Sequence, residues 1–164
     1  MSESWERENL TLDQLVQIEN YEIISNVHQR QGRGGRPALI TNTEHFTVKN
    51  LCEDNAISVP YGVEIVWGLL TPKKVTSTSI VKKIAVAGIY SKPNSRMKSK
   101  LIDHISQTYH YLCSKYTSGL HFILAGDTNC LKLDNILNLS SSLKQVVKVK
   151  KRRYSTSFYN LLLM

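Results

Sequence analysis

Short apolar runs, separated by polar or glycine-containing segments, make up most of this chain. Runs of this kind, rich in β-branched and aromatic residues and bounded by turn-forming residues, are typical of β-strands. The apolar run 122–125 has no polar alternation, which is typical of a strand buried on both faces. The pattern predicts strands over 21–27, 37–41, 46–51, 63–70 and 83–90, followed by the run that ends at Asp127.

Segment 98–116 instead has the period of an amphipathic helix. Its apolar residues fall on one helical face, and Gly119 follows as a stop signal. That face consists of Leu101, Ile102, Ile105, Tyr109, Leu112 and Cys113. A helix inserted between two buried strands, among further strands, indicates a mixed α/β sheet or sandwich.

Size and composition are those of one globular domain. The chain has 164 residues, of which 41% are apolar and 21% charged, enough to bury a sizeable core. No apolar run approaches the ~20 residues that a membrane span requires, and the polar, acidic start is not a secretory signal. The three cysteines lack metal-ligand spacing and suggest free thiols in a reducing compartment. We therefore expect an intracellular protein without a membrane partner.

Positive charge is concentrated in a few segments. The net charge is +8, with basic clusters in 30–36, 92–100 and 144–153. Such clusters favour a polyanion partner, typically nucleic acid, although a solvated basic surface is the simpler alternative. The run Lys150-Lys151-Arg152-Arg153 also fits a nuclear import signal, a pattern that often occurs by chance.

The most informative segment is the end of the apolar run at Gly126-Asp127-Thr128-Asn129. If extended geometry continues, the side chains of Asp127 and Asn129 point to the same side. A carboxylate and a carboxamide at the mouth of a buried strand can bind a hard cation, a phosphate or both. The alternative is an ordinary turn, since Gly, Asp and Asn are common turn residues.

Three separated segments together resemble a known superfamily. They are Glu3-Ser4-Trp5, then Gly88-Ile89-Tyr90 with Pro93-Asn94 and Arg96, then Gly126-Asp127-Thr128-Asn129. In this order the chain resembles the endonuclease/exonuclease/phosphatase superfamily, most closely the endonuclease domain of non-LTR retrotransposons and the genes derived from them (craniofacial-development-protein-like sequences). The resemblance covers about residues 1–149 and implies an α/β fold with a two-sheet β-sandwich flanked by helices (DNase I-like). Residues 150–164 leave the pattern and are predicted to be a basic and apolar tail.

The resemblance also implies a role for each matching position. Glu3 would be the carboxylate ligand of Mg²⁺ or Mn²⁺, and Tyr90 would contact the scissile phosphate. Asp127 would orient or deprotonate the attacking water, and Asn129 would hydrogen-bond the phosphate. Asn94 and Arg96 would help to hold substrate phosphate, while Arg33 and Arg36 of the basic loop are candidate nucleic-acid contacts. The implied function is a Mg²⁺-dependent phosphodiester hydrolase acting on DNA, with no obligate protein partner.

The chain also departs from the family pattern. It begins two residues before Glu3, without the family's upstream strand that carries a metal-placing asparagine, and no Ser-Asp-His motif is found among its five histidines. We expect an incomplete fold that lacks the first strand and the C-terminal strands, with weak or no turnover as this fragment. The alternatives are a catalytically dead, basic nucleic-acid-binding remnant, a degenerate mobile-element product, and a phosphatase of the same superfamily.

Overall fold

The computed structural model describes residues 18–25, 37–74, 81–91 and 96–127 in full, and the backbone of 145–149 and 159–163. Within these residues the chain forms β-strands, two short 3-10 turns and an α-helix. The strands are β1 (Tyr21–Ser25), β2 (Ala38–Asn42), β3 (Phe46–Asn50), β4 (Glu64–Pro72), β5 (Lys83–Tyr90), β6 (Leu120–Asp127), β7 (Gln145–Val149) and β8 (Tyr159–Leu163), and the helix is α1 (Lys98–Lys115). The strands predicted up to β5 and the helix are confirmed to within two residues at each end.

The strands form two sheets. One has six strands in the order β3-β4-β5-β6-β8-β7, and the other is the β1-β2 hairpin. All pairings are antiparallel except that of β5 with β6. A parallel pair requires a crossover connection, and α1 lies within the segment that joins β5 to β6.

The main core lies between α1 and one face of the six-stranded sheet. Alternate residues of the central strands point to this face, as the two-residue period of a strand requires. The core includes Trp67, which is fully buried, and Leu101, Ile105 and Leu112 of the predicted apolar helix face. The helix therefore packs with the face that the sequence pattern indicated.

The β1-β2 hairpin covers the opposite face of the sheet. Ile24 and Leu39 of the hairpin pack against Val66 of β4. Gly68 permits this approach, because a Cβ there would lie 3.1 Å from Leu39 Cδ1 and 3.4 Å from Ile24 Cδ1. The molecule thus has a helix layer, a central sheet and a second strand layer. Among the described residues, no helix is long and apolar enough to cross a bilayer.

Strand β8 comes from the segment that the sequence analysis assigned to a tail. It pairs antiparallel with β6 on one side and with β7 on the other, so the apolar end of the chain joins the sheet. Its partners are distant in sequence, and local apolar pattern alone does not identify such pairings. The division of the chain at residue 149 stays a prediction.

A buried histidine links α1 to the sheet. His104 is 4% exposed, and Trp67 Nε1 donates a hydrogen bond to His104 Nε2 at 3.2 Å. Nε2 must be unprotonated to accept this bond. Burial lowers the pKa of His104 below the ordinary histidine value of 6.5. The His104 side chain is therefore a neutral structural residue.

This histidine predicts a pH dependence of the free energy of unfolding. Because the folded-state pKa is lowered, the unfolded chain binds more protons below about pH 6.5. Stability should be fully present above that pH and fall progressively as the pH decreases toward the folded-state pKa. Urea unfolding of His104→Gln between pH 5 and 8 should show a smaller pH dependence than the native chain. His110→Gln, at an exposed position of the same helix, is the control and should retain the native dependence.

Candidate active site

Three adjacent strands bring Glu64, Tyr90 and Asp127 into one row. Glu64 of β4 is in register with Tyr90 of β5, and Tyr90 is in register with Asp127 of β6. Neighbouring strands lie about 4.8 Å apart, so the backbones of the two acidic residues are roughly 10 Å apart with the tyrosine between them. A phenol and two carboxylates therefore share one end of the central sheet.

The row lies on the face that the hairpin covers. Phe122 and Leu124 of β6 belong to the core beneath α1, so Asp127, at odd spacing from Leu124, points to the opposite face. Val66 and Val86 pack toward the hairpin. Glu64 is two residues from Val66 and Tyr90 is four residues from Val86, so their side chains point to the same face. All three side chains of the row are half-buried, and Oε2 of Glu64 is shielded from solvent. The groups occupy a partly enclosed end of the space between the two strand layers.

The backbone immediately before Asp127 is held by close packing. Gly126 has φ +147°, and a Cβ at this position would lie 1.9 Å from the backbone oxygen of Ile89. Only glycine permits this approach. The carbonyl oxygen of Asp127 itself accepts a hydrogen bond from the backbone N–H of Ser91 at 2.8 Å. The position of the aspartate is thus fixed by β5, the strand that carries Tyr90.

The turn that leads into β4 borders the row. Val63 N donates to Pro60 O at 3.0 Å, and Gly62 has φ +83°, which together define a type II turn with Tyr61 at its first central position. A Cβ at Gly62 would be 3.6 Å from the sulfur of Met97. This contact places the turn against the start of α1, next to Arg96.

The charges of the row determine what it can bind. A phosphate anion about 4 Å from a carboxylate is repelled by roughly 4 kcal/mol at an effective dielectric constant of ~20. A phosphodiester would therefore approach Asp127 and Glu64 only with a cation to neutralise it. Carboxylate oxygens are the ligands that Mg²⁺ prefers, and it retains several waters, so few protein ligands suffice. The oxygen donors of the row are of the type that a hard divalent cation prefers, but no group of three or more His, Cys, Asp or Glu that could hold a metal ion is found within the described ranges.

The structure places three of the eight predicted site residues. Tyr90 and Asp127 lie side by side in register, and Arg96 is exposed just before α1. The other five predicted residues lie outside the described residues: Glu3, Arg33, Arg36, Asn94 and Asn129.

Glu64 is a member of the row that sequence reasoning missed. It occurs in the strand segment Val63-Glu64-Ile65-Val66-Trp67, where a single acidic residue has an ordinary interpretation as a solvent-facing position. The sequence did contain one indication of its role. Glu64 is the one charged residue in an apolar run, and charged side chains are rarely buried unless they have a partner. The strand pairing supplies that reason by placing it beside Tyr90.

Comparisons with solved structures identify the fold. The human Nocturnin catalytic domain, solved with a bound sulfate anion, aligns with a TM-score of 0.52 and 17% sequence identity, over 93% of this chain and 64% of that chain. Two D. rerio TDP2 structures also align, one humanized by 14 mutations and one complexed with single strand DNA product. Each has a TM-score of 0.44 and 13% identity over 88% of this chain, and covers 58% and 62% of those chains respectively. No protein-family model and no curated protein matches the sequence.

The expected fold class is therefore confirmed. The chain has a mixed α/β, DNase I-like fold and spans 64% of the length of the Nocturnin catalytic domain. At 17% identity the match concerns the fold, and function has to be argued from the site itself.

Proposed function

We propose that this chain is a metal-dependent phosphodiester hydrolase domain of the endonuclease/exonuclease/phosphatase superfamily, of retrotransposon-like origin, and that it cleaves DNA with weak turnover. The observation that carries the proposal is the in-register placement of Tyr90 and Asp127 on adjacent strands. These two residues come from separate sequence motifs, 88–96 and 126–129, which the resemblance had assigned to one site. A chance match to either motif would not require them to meet.

Each residue has a distinct part in the proposed reaction. Asp127 orients and deprotonates a water molecule for attack on phosphorus; as the new P–O bond forms, the P–O bond to the leaving sugar oxygen breaks, and that oxygen takes up a proton from solvent. Tyr90 donates a hydrogen bond to a phosphate oxygen, and Glu64, in register beside it, keeps the phenol in place. A bound Mg²⁺ or Mn²⁺ neutralises charge on the phosphodiester.

The residues outside the described ranges complete this proposed site. Glu3 would hold the divalent cation through its carboxylate. Asn129 and Asn94 would donate hydrogen bonds to phosphate without adding negative charge. Arg96, which the structure places at the start of α1, would contact the substrate backbone.

Charge favours nucleic acid over a small phosphoester. The chain carries a net charge of +8, and the exposed side chains of Arg96 and Lys100 lie just before α1 and in its first turn. Segment 30–36 contains three further arginines and lies outside the described residues. Its charge supports Arg33 and Arg36 as contacts to the backbone of a long polyanion.

Plasmid nicking tests the proposal directly. Purified protein with Mg²⁺ should convert supercoiled plasmid to the open-circular form, and removal of the metal with EDTA should abolish the conversion because the carboxylate row repels an unneutralised phosphate. Restoring Mg²⁺ or Mn²⁺ should restore nicking. If the folded protein does not nick plasmid under these conditions, the proposed hydrolase activity is contradicted.

A binding module without catalysis is the second candidate. It is favoured by the basic segments together with the lack of a three-ligand group within the part of the chain that the structure describes. Salt-dependent binding of duplex DNA without cleavage, with or without Mg²⁺, would select this candidate. Cleavage of a small phosphate ester without binding of DNA would instead select a phosphatase.

A further inference from the structure

Among the described residues, Tyr61 is the most exposed large apolar side chain. It is 80% exposed, whereas Tyr21, Ile18 and Ile40 are 44%, 46% and 49% exposed. Exposure of a single aromatic residue is common on protein surfaces. What distinguishes Tyr61 is its backbone, which is held in a closed type II turn between Pro60 and Gly62 and seated against Met97.

The turn holds Tyr61 within a bounded distance of the proposed active site. Tyr61 precedes Glu64 by three residues, so their Cα atoms are at most about 11 Å apart. Two strand spacings of about 4.8 Å then separate Glu64 from Asp127. The Tyr61 backbone is therefore within roughly 20 Å of the Asp127 backbone, a distance covered by about six nucleotides of a DNA strand at 3.4 Å each.

Basic side chains lie next to the same turn. Met97, whose sulfur would lie 3.6 Å from a Cβ at Gly62, is preceded by exposed Arg96 and followed by Lys98 and Lys100, of which Lys100 is exposed. An exposed ring on a fixed backbone next to a cationic strip is the combination with which proteins hold a nucleic-acid strand. The cations follow the backbone, and the aromatic face stacks on a base. A docking site for another protein would not require the cationic strip.

We infer that Tyr61 is a stacking platform for a nucleobase within about six nucleotides of the scissile phosphate, with Arg96 contacting the adjacent backbone. The inference rests on the proposed function and extends it by naming the residue that engages a base. The stack requires no hydrogen-bond readout, because every base has a π-face. It therefore positions the strand without imposing a sequence preference.

Equilibrium binding of fluorescein-labelled oligonucleotides in Mg²⁺, with Asp127→Asn present in every chain to prevent turnover, tests the platform. Tyr61→Ala should weaken binding roughly 5- to 150-fold, and Tyr61→Phe and Tyr61→Trp should retain it. Tyr21→Ala is the matched control, since Tyr21 is also exposed but pairs with Asn42, next to the turn near His45 at the other end of the sheet. Its binding should equal that of the native chain.

Two further measurements separate stacking from charge contact. Tyr61→Ala should not change the slope of a plot of the logarithm of the binding constant against the logarithm of the salt concentration. Arg96→Ala should reduce the magnitude of that slope by about 1. In a series of oligonucleotides with one abasic position each, the Tyr61→Ala penalty should vanish at the position whose base Tyr61 contacts. If no abasic position removes the penalty, or if Tyr61→Phe and Tyr61→Trp are as weak as Tyr61→Ala, the stacking inference is overturned.

The outcomes also distinguish a failure of this inference from a failure of the proposed function on which it rests. If the native chain binds DNA and the affinities of Tyr61→Ala and Tyr21→Ala are equal, the stacking role of Tyr61 is overturned. The proposed hydrolase activity is not affected by that result. Absence of oligonucleotide binding by the folded native chain overturns the DNA proposal, and the platform with it.

Discussion

Replacing Asp127 with asparagine is expected to lower the rate of plasmid nicking by about 10²–10⁴-fold, the usual contribution of a general base. The substitution keeps the size of the side chain and removes its basicity, so water at this end of the sheet is no longer activated. Initial nicking rates in Mg²⁺, measured at matched protein concentration, give the effect. The affinity for DNA should change much less than the rate, because the loss concerns the transition state.

Asp103→Asn is the matched control for this substitution. Asp103 is an exposed carboxylate on α1, and the same change of charge there should leave the nicking rate unchanged. Equal rates for Asp127→Asn and the native chain would show that the activity comes from elsewhere. Unfolding curves of both variants establish that a lost rate reflects chemistry, since each variant should unfold at a denaturant concentration close to that of the native chain.

Substitution of Gly126 by alanine should have the largest effect on stability, a loss of about 3–5 kcal/mol in the free energy of unfolding. The new Cβ would lie 1.9 Å from the backbone oxygen of Ile89, so β5 and β6 must separate locally, and alanine also disfavours a φ of +147°. This is a large part of the ~5–15 kcal/mol that holds a typical domain folded. Urea or thermal unfolding measures it.

Gly68→Ala provides the comparison within the same sheet. Its Cβ would meet the ends of two flexible side chains, Leu39 Cδ1 at 3.1 Å and Ile24 Cδ1 at 3.4 Å. These can shift, so we expect a loss of only about 1 kcal/mol, at the low end of overpacking costs. Similar losses for the two variants would contradict the close backbone approach at Gly126.

The sequence predicted the strands and the helix of the central region well, because local pattern determines them. Strand 83–90 and helix 98–116 have strong apolar periodicity, and both are present at nearly the predicted bounds. The order of strands in the sheet was not predictable in the same way. Pairing of β8 between β6 and β7 depends on contacts between segments far apart in the chain.

For the candidate site, the family motifs indicated Tyr90 and Asp127, and the structure brings these two together. Glu64 was not predicted, because its significance comes only from its register with Tyr90. The constraint on Gly126 was also not predicted. A glycine before a polar residue is compatible with an ordinary turn, and only the position of the Ile89 carbonyl shows that no side chain fits.

The position of β8 has a consequence for the newly made chain. Until residues 159–163 have left the ribosome, β6 presents an unpaired edge toward the side that β8 later occupies. Translation proceeds at about 5–20 residues per second, so this edge stays open for roughly 2–7 s after β6 is complete. Unpaired edges recruit strands from other molecules, and overproduction of this chain should therefore favour inclusion bodies unless synthesis is slowed or chaperones are supplied.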